Sequence, residues 1–197
     1  MWKKRLTTPW SRLTRIGSLI ALAAVLLGTA PAVLATPIGL DRSFAGRIDF
    51  VVTGATLRTQ SNNGNACAVS SAPVSAPLSG IPAGSTIEAA FLYWGGSGST
   101  PDNTVTFDGS SVTATRQFTE TFNQSFYQLD YFGGVADVTA QVSGKGNGTY
   151  SLTDLNVTTT DQGFNAPYCS SQAVVSGWGL LVIYENPAED FRVVNVF

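Results

Sequence analysis

Two short runs constrain this chain more than any other part of its 197 residues: Ile87–Gly96 (IEAAFLYWGG) and Ser176–Pro187 (SGWGLLVIYENP). After Glu88 the first is apolar almost without a break, and the second is dense in aliphatic and aromatic residues. A half-buried strand would alternate, so this continuity points to strands covered on both faces or lying at the centre of a sandwich. Trp94 and Trp178 fall within these runs, with Gly95, Gly177 and Gly179 beside them. Small neighbours let a large indole lie close to backbone, so both tryptophans are expected in the core. A third string, Gly133–Thr139 (GGVADVT), reads as a Gly-Gly entry into a short turn. From there Val135–Val142 is expected to form one or two helical turns, with Asp137 as a plausible cap.

The rest of the chain reads as all-β. Arg47–Leu57 is a strand rich in β-branched residues, with Gly54 marking a bend. Gln60–Pro82 is a Ser/Ala/Asn/Pro/Gly loop. Asn103–Phe107 and Ser111–Phe118 flank Asp108-Gly109, the strongest hairpin signal present. Phe126–Phe132, Tyr150–Thr158, Gln172–Tyr184 and Arg192–Phe197 complete the strand set. Short strands with regularly spaced turns predict an antiparallel β-sandwich, jelly-roll-like, with one short helical turn. The last run, RVVNVF, stops inside strand-like sequence, so the domain spanning 47–197 is expected to be cut short at its C-terminal side, leaving an open edge.

The N-terminus has the three parts of an export signal over residues 1–35. Lys3, Lys4, Arg5, Arg12 and Arg15 precede an apolar stretch from Ile16 to Leu27, and Val33-Leu34-Ala35 offers a cleavage site. An uncleaved anchor is the rival, but Gly28, Thr29 and Pro31 interrupt the stretch. Residues 36–46 read as a lead segment. After residue 35 there remain six Lys and Arg against 13 Asp and Glu, a formal charge of −7. No basic cluster exists there, so nucleic acid is not an expected partner, and membrane contact is expected only through the signal during export.

Only two cysteines occur, Cys67 and Cys169, both in polar, loop-like surroundings. In an oxidising compartment they are expected to pair, closing a loop of about 100 residues. The chain has no His, which removes Ser-His-Asp and Cys-His nucleophiles in their usual forms. The carboxylates show no spacing that predicts a facing pair for glycoside hydrolysis. No cofactor is called for. Loop oxygens would suit Ca²⁺, with Asp102, Asn103, Glu185 and Glu189 as candidate ligands. Tyr127 and Tyr131 are the candidate ligand-binding aromatics, placed to stack on a sugar.

The three strings, in this order, resemble an uncharacterised domain of secreted and surface bacterial proteins. There a segment like A-x-L-Y-W-G-G is followed by A-D-V-T and then by G-W-x-L-V-V-V-Y-E-x-P. Here Ala90–Gly96, Ala136–Thr139 and Gly177–Pro187 correspond, with Phe91-Leu92 as a conservative departure. The resemblance extends from about Ile48 to Phe197 and implies a β-rich surface or matrix role, often ahead of extracellular repeat domains. It carries over no catalytic residue. The expected function is a secreted or cell-surface structural or adhesive module without catalytic activity, whose partners are surface or matrix components, glycans among them. The second reading is a carbohydrate-binding module, with or without Ca²⁺.

Overall fold

The computed structural model describes residues 39–197; the expected export signal over residues 1–35 lies outside the described residues. Among the described residues eleven strands and one helix follow in chain order: β1 (Arg42–Gly46), β2 (Ile48–Thr56), β3 (Val74–Leu78), β4 (Thr86–Ser97), β5 (Thr104–Phe107), β6 (Ser110–Thr113), β7 (Arg116–Asn123), β8 (Gln128–Asp137), α1 (Thr139–Lys145), β9 (Gly148–Thr153), β10 (Ser176–Glu185) and β11 (Arg192–Val196). A five-stranded sheet of order β2-β10-β4-β8-β7 packs on a four-stranded sheet of order β3-β9-β5-β6, and every pairing is antiparallel. The fold is an all-β sandwich. A further pair, β1 and β11, covers part of the outer face of the larger sheet.

This layering explains the two apolar runs. Side chains of a strand alternate between faces. On β4 and β10, Ala90, Leu92, Trp94, Trp178, Leu180 and Val182 point into the main core with Phe107, Tyr150 and Leu152 from the smaller sheet. The alternate residues Ala89, Phe91 and Ile183 are buried as well, under Phe44, Val194 and Val196 of β1 and β11. Both faces of the same strands are dry, so neither can carry a polar period.

Glycines in the three strings serve these contacts. Gly134 lies opposite Trp94, and a Cβ built there would fall 2.4 Å from the indole ring. Trp94 stands opposite Trp178 on its other side. One residue along, Gly133, Gly95 and Gly177 align across three neighbouring strands, so the three strings meet in one row of the sheet.

GGVADVT is therefore not the expected turn. β8 continues through Gly133 to Asp137, because Trp94 needs a glycine there within paired strand. The helix begins at Thr139, and Val138 rather than Asp137 holds the cap position. Asp137 still accepts the Thr139 amide at 3.0 Å and its hydroxyl at 2.6 Å. The Thr139 hydroxyl oxygen accepts the Ala90 N–H of β4 at 2.9 Å, and Val138 donates its own N–H to the Ala90 carbonyl at 2.8 Å. Burial pushes the Asp137 carboxyl up, yet the Thr139 bonds and the Arg42 guanidinium outweigh it and hold it below its ordinary value.

Other expectations shift at their edges. The loop over Gln60–Pro82 contains β3, whose Pro77 is tolerated because β3 is an edge strand. Ser111–Phe118 is split between β6 and β7, which belong to different sheets. The Asp108-Gly109 hairpin is present, with positive φ at both residues, 49° and 79°. Tyr150–Thr158 is strand only to Thr153, where Asp154 turns the chain at φ 62°. Residues 42–46 of the expected lead segment form β1.

Candidate functional site

A cleft of 650 Å³ opens at the end of the sandwich where β4 finishes and β10 begins. Its wall is built from the chain after β4, the stretch after β9 and the loop over residues 159–170. The lining is mostly Ser, Thr, Asn and Gln, with Asp102, Asp130 and Tyr168 and the apolar Pro101, Val157 and Ala166, and it contains no Lys or Arg.

Each of these groups is fixed from below. The Asp102 carbonyl accepts the Trp94 indole N–H at 2.9 Å, so one side of the cleft is tied directly to the core. The Asp102 carboxylate accepts the Asn156 N–H at 2.7 Å and its side-chain amide at 3.3 Å, and the Thr104 N–H at 3.3 Å. Thr158 donates its N–H to the Ser97 carbonyl at 2.7 Å. The Tyr168 hydroxyl accepts the Asp130 N–H at 2.9 Å and donates to the Asp130 carbonyl at 3.2 Å. The Asp130 carboxylate accepts the Thr121 hydroxyl at 2.7 Å.

The loop over 159–170 is stapled. Cys67 and Cys169 form a disulfide, with their Cα atoms 5.4 Å apart. Asp161 accepts the Cys169 N–H at 2.6 Å and the Ser170 N–H at 3.1 Å, and also takes the Ser170 hydroxyl. The Ser170 hydroxyl and amide, helped by the Cys169 amide, hold this carboxyl below its ordinary value. On the far side of the loop lies a second hollow of 350 Å³, lined by Phe126, Tyr127, Phe164 and Pro167. Phe126 is 77% exposed and Phe164 is 83% exposed.

The candidate residues are distributed as follows. Tyr127 is half-buried and lines this apolar hollow. Tyr131 lies away from it, edge-on to Tyr168 with ring centres 6.4 Å apart, and donates its hydroxyl to the Ala173 carbonyl at 3.1 Å. Burial, then the nearby tyrosines, raise its phenol above the ordinary value. Both tyrosines pack on Leu129 and Val174 under the stapled loop. At this loop end the open aromatics are Phe126 and Phe164 rather than the two tyrosines.

Asp102 and Asn103 are not brought together with Glu185 and Glu189. The cleft is at the Ser176 end of β10 and Glu185 is at the other, about 30 Å away by the rise of an extended strand. There the Glu189 carboxylate pairs with Arg192 at 2.8 Å and accepts the Tyr184 hydroxyl at 3.4 Å. Among the described residues no group of three or more His, Cys, Asp or Glu is placed to hold a metal ion. The YENP string there is structural. The buried Asn186 donates its side-chain amide to the Ala83 carbonyl at 3.3 Å and to the Ser85 hydroxyl at 3.0 Å, and accepts the Ala188 N–H at 2.9 Å.

No protein-family model matches the chain, and no curated protein or solved structure matches it significantly. The chemistry of the cleft is largely polar. Its hydroxyls, amides and carboxylates complement hydroxyl, amide or cationic groups, while an anion would meet two carboxylates and no counter-charge.

Proposed function

We propose that this protein is an exported, disulfide-stapled β-sandwich that works as a structural or adhesive module on a cell surface or in a matrix, by binding rather than by catalysis. The observation that carries this is the stapled loop end. One surface loop is held by the Cys67–Cys169 disulfide and by Asp161, and it separates a polar cleft from an apolar hollow with two open phenylalanines. Loops on a rigid scaffold are the usual place for recognition. A disulfide persists in oxidising compartments, and the signal-like N-terminus agrees with that address. The resemblance of the three strings to a domain of surface proteins supports the same reading.

A carbohydrate-binding role is the second reading. The specific support is a hydroxyl-lined cleft adjacent to exposed aromatic rings, the combination that hydrogen-bonds sugar hydroxyls and stacks on sugar faces. Retention of the purified protein on immobilised matrix polysaccharides and on a glycan array tests both readings. Wild type is expected to be retained, with retention lost in Phe126→Ala and Phe164→Ala. Loss in Thr160→Arg as well would assign the cleft. Retention equal in all variants, or absent in wild type, would overturn the loop end as the recognition surface.

A further inference from the structure

β7 is one edge of the five-stranded sheet. Among the described residues nothing pairs with its outer side. The phase of the ladder says which main-chain groups are free there. Gln124 donates its N–H to the Tyr127 carbonyl. Antiparallel residues alternate between pairs that exchange both bonds and pairs that exchange none. Counted back along the register, Phe122, Glu120 and Phe118 are the bonded partners of Leu129, Tyr131 and Gly133. Gln117, Thr119 and Thr121 therefore aim their N–H and C=O groups away from the sheet.

The side chains are sorted by the same alternation. Arg116, Phe118, Glu120 and Phe122 share one face, and the two phenylalanines are 54% and 47% exposed. Exposed edges are ordinarily blunted by Lys, Pro, a bulge or a covering segment. Arg116–Asn123 has no Lys or Pro, and its register with β8 has no shift.

We infer that β7 pairs antiparallel with β7 of a second copy of this chain, about a twofold axis at Phe118. Outward groups meet outward groups only when the axis passes through a residue, not between two. An axis at Glu120 sets two carboxylates opposite each other, which is destabilising. An axis at Thr119 sets Arg116 against Phe122 and Phe118 against Glu120. An axis at Phe118 sets Arg116 against Glu120 on both sides, with Gln117 and Thr119 exchanging main-chain bonds. Phe118 then meets its own copy at the close, non-bonded position, with Cβ atoms about 4.5–5.5 Å apart. Arg116 now pairs with Asp41 at 3.1 Å, both side chains only partly exposed. In the dimer the guanidinium is shared between Asp41 and Glu120 of the second copy, so the intermolecular pair adds to the existing one. The area joined is small, which makes the pairing reversible and concentration-dependent. It depends on no ligand at the loop end.

Sedimentation velocity over a concentration series to about 1 mM, the range of weak association, tests this. Wild type is expected to show a reversible monomer–dimer equilibrium in the micromolar range. Thr119→Pro removes an outward N–H without touching a bond to β8 and is expected to leave a folded monomer. Glu120→Arg is expected to weaken the dimer at least tenfold. Arg116→Glu combined with Glu120→Arg is expected to restore it, and this charge exchange carries the test if Thr119→Pro does not fold. A wild type that stays monomeric throughout, a dimer indifferent to Glu120→Arg, or a double variant as weak as the single would overturn the inference.

Discussion

Trp94 and Trp178 face each other across β4 and β10 at the same register position, but only Trp94 has a partner for its indole N–H. The Trp178 Nε1 is buried, edge-on to Phe107 with ring centres 5.9 Å apart, and has no acceptor among the described residues.

This asymmetry predicts different costs for the same substitution. Trp94→Phe leaves the Asp102 carbonyl without its donor, in addition to the lost indole volume. Trp178→Phe removes a desolvated donor that had no partner, which offsets part of its volume loss. Denaturant titration should place Trp94→Phe at least about 1 kcal/mol below Trp178→Phe. Equal midpoints would show that the Asp102 bond contributes nothing.

Gly134 is held to its identity by the same indole. Its missing Cβ would lie 2.4 Å from the Trp94 ring, and that ring is anchored by Asp102 and backed by Trp178. Gly134→Ala should cost about 1–3 kcal/mol by overpacking. Gly144→Ala is the control, because a Cβ there meets nothing within 4 Å. The comparison is read from urea midpoints at constant m-value.

Much of the fold was legible in the sequence, and the misses have physical causes. β4 and β10 declared themselves because both of their faces are dry. The Asp108-Gly109 hairpin did so because its turn needs two positive φ angles. β3 was hidden because VSAPL carries Pro77 and an edge strand needs little β propensity. The second half of β8 was hidden because Gly133-Gly134 signals a turn, whereas Gly134 makes room for the Trp94 indole on the neighbouring strand. The loop end was the least legible. Its Asp161 clasp, the Asp102–Asn156 bonds and the open Phe126 and Phe164 join residues far apart in sequence, with no local pattern to mark them. The acidic candidates fell at opposite ends of β10 because sequence proximity to a loop says nothing about which end of a strand that loop serves.

The disulfide spans 102 residues of sequence. In the chain-entropy picture such a closure contributes up to about 4–5 kcal/mol, through the unfolded state. Thermal unfolding of the Cys67→Ser/Cys169→Ser protein should show a markedly lower Tm with the far-UV spectrum of the sheets retained at low temperature. Proteolysis should then cut first within residues 159–170, where the loop has lost its staple. An unchanged Tm would mean that Asp161 alone secures the loop.

Tyr150 gives an alkaline signature. Its phenol is fully buried, stacked on Phe107, and donates to the Gly146 carbonyl at 2.7 Å. Burial, with a smaller push from Asp108, raises its pKa to about 12. The unfolded phenol ionises near pH 10. The folded state thus keeps a proton that the unfolded state releases, so the contribution is intact below pH 10 and is lost as pH rises from about 10 toward 12. Tm measured across that window should fall steeply in wild type and less steeply in Tyr150→Phe. Some slope should remain, because burial also raises Tyr93, Tyr131 and Tyr184.

The ring closed by Cys67 and Cys169 contains β3 through β9 and α1, and β10 lies outside it. Yet β10 is the strand inserted between β2 and β4. As the chain is synthesised, β2 and β4 have no neighbour to join them until residues 176–185 emerge, and Trp94 waits equally long for Trp178. Wiring of this kind has a high contact order and folds slowly. β4, β8 and β7 can pair before β10 emerges, but β2 joins their sheet only when that one strand enters between β2 and β4.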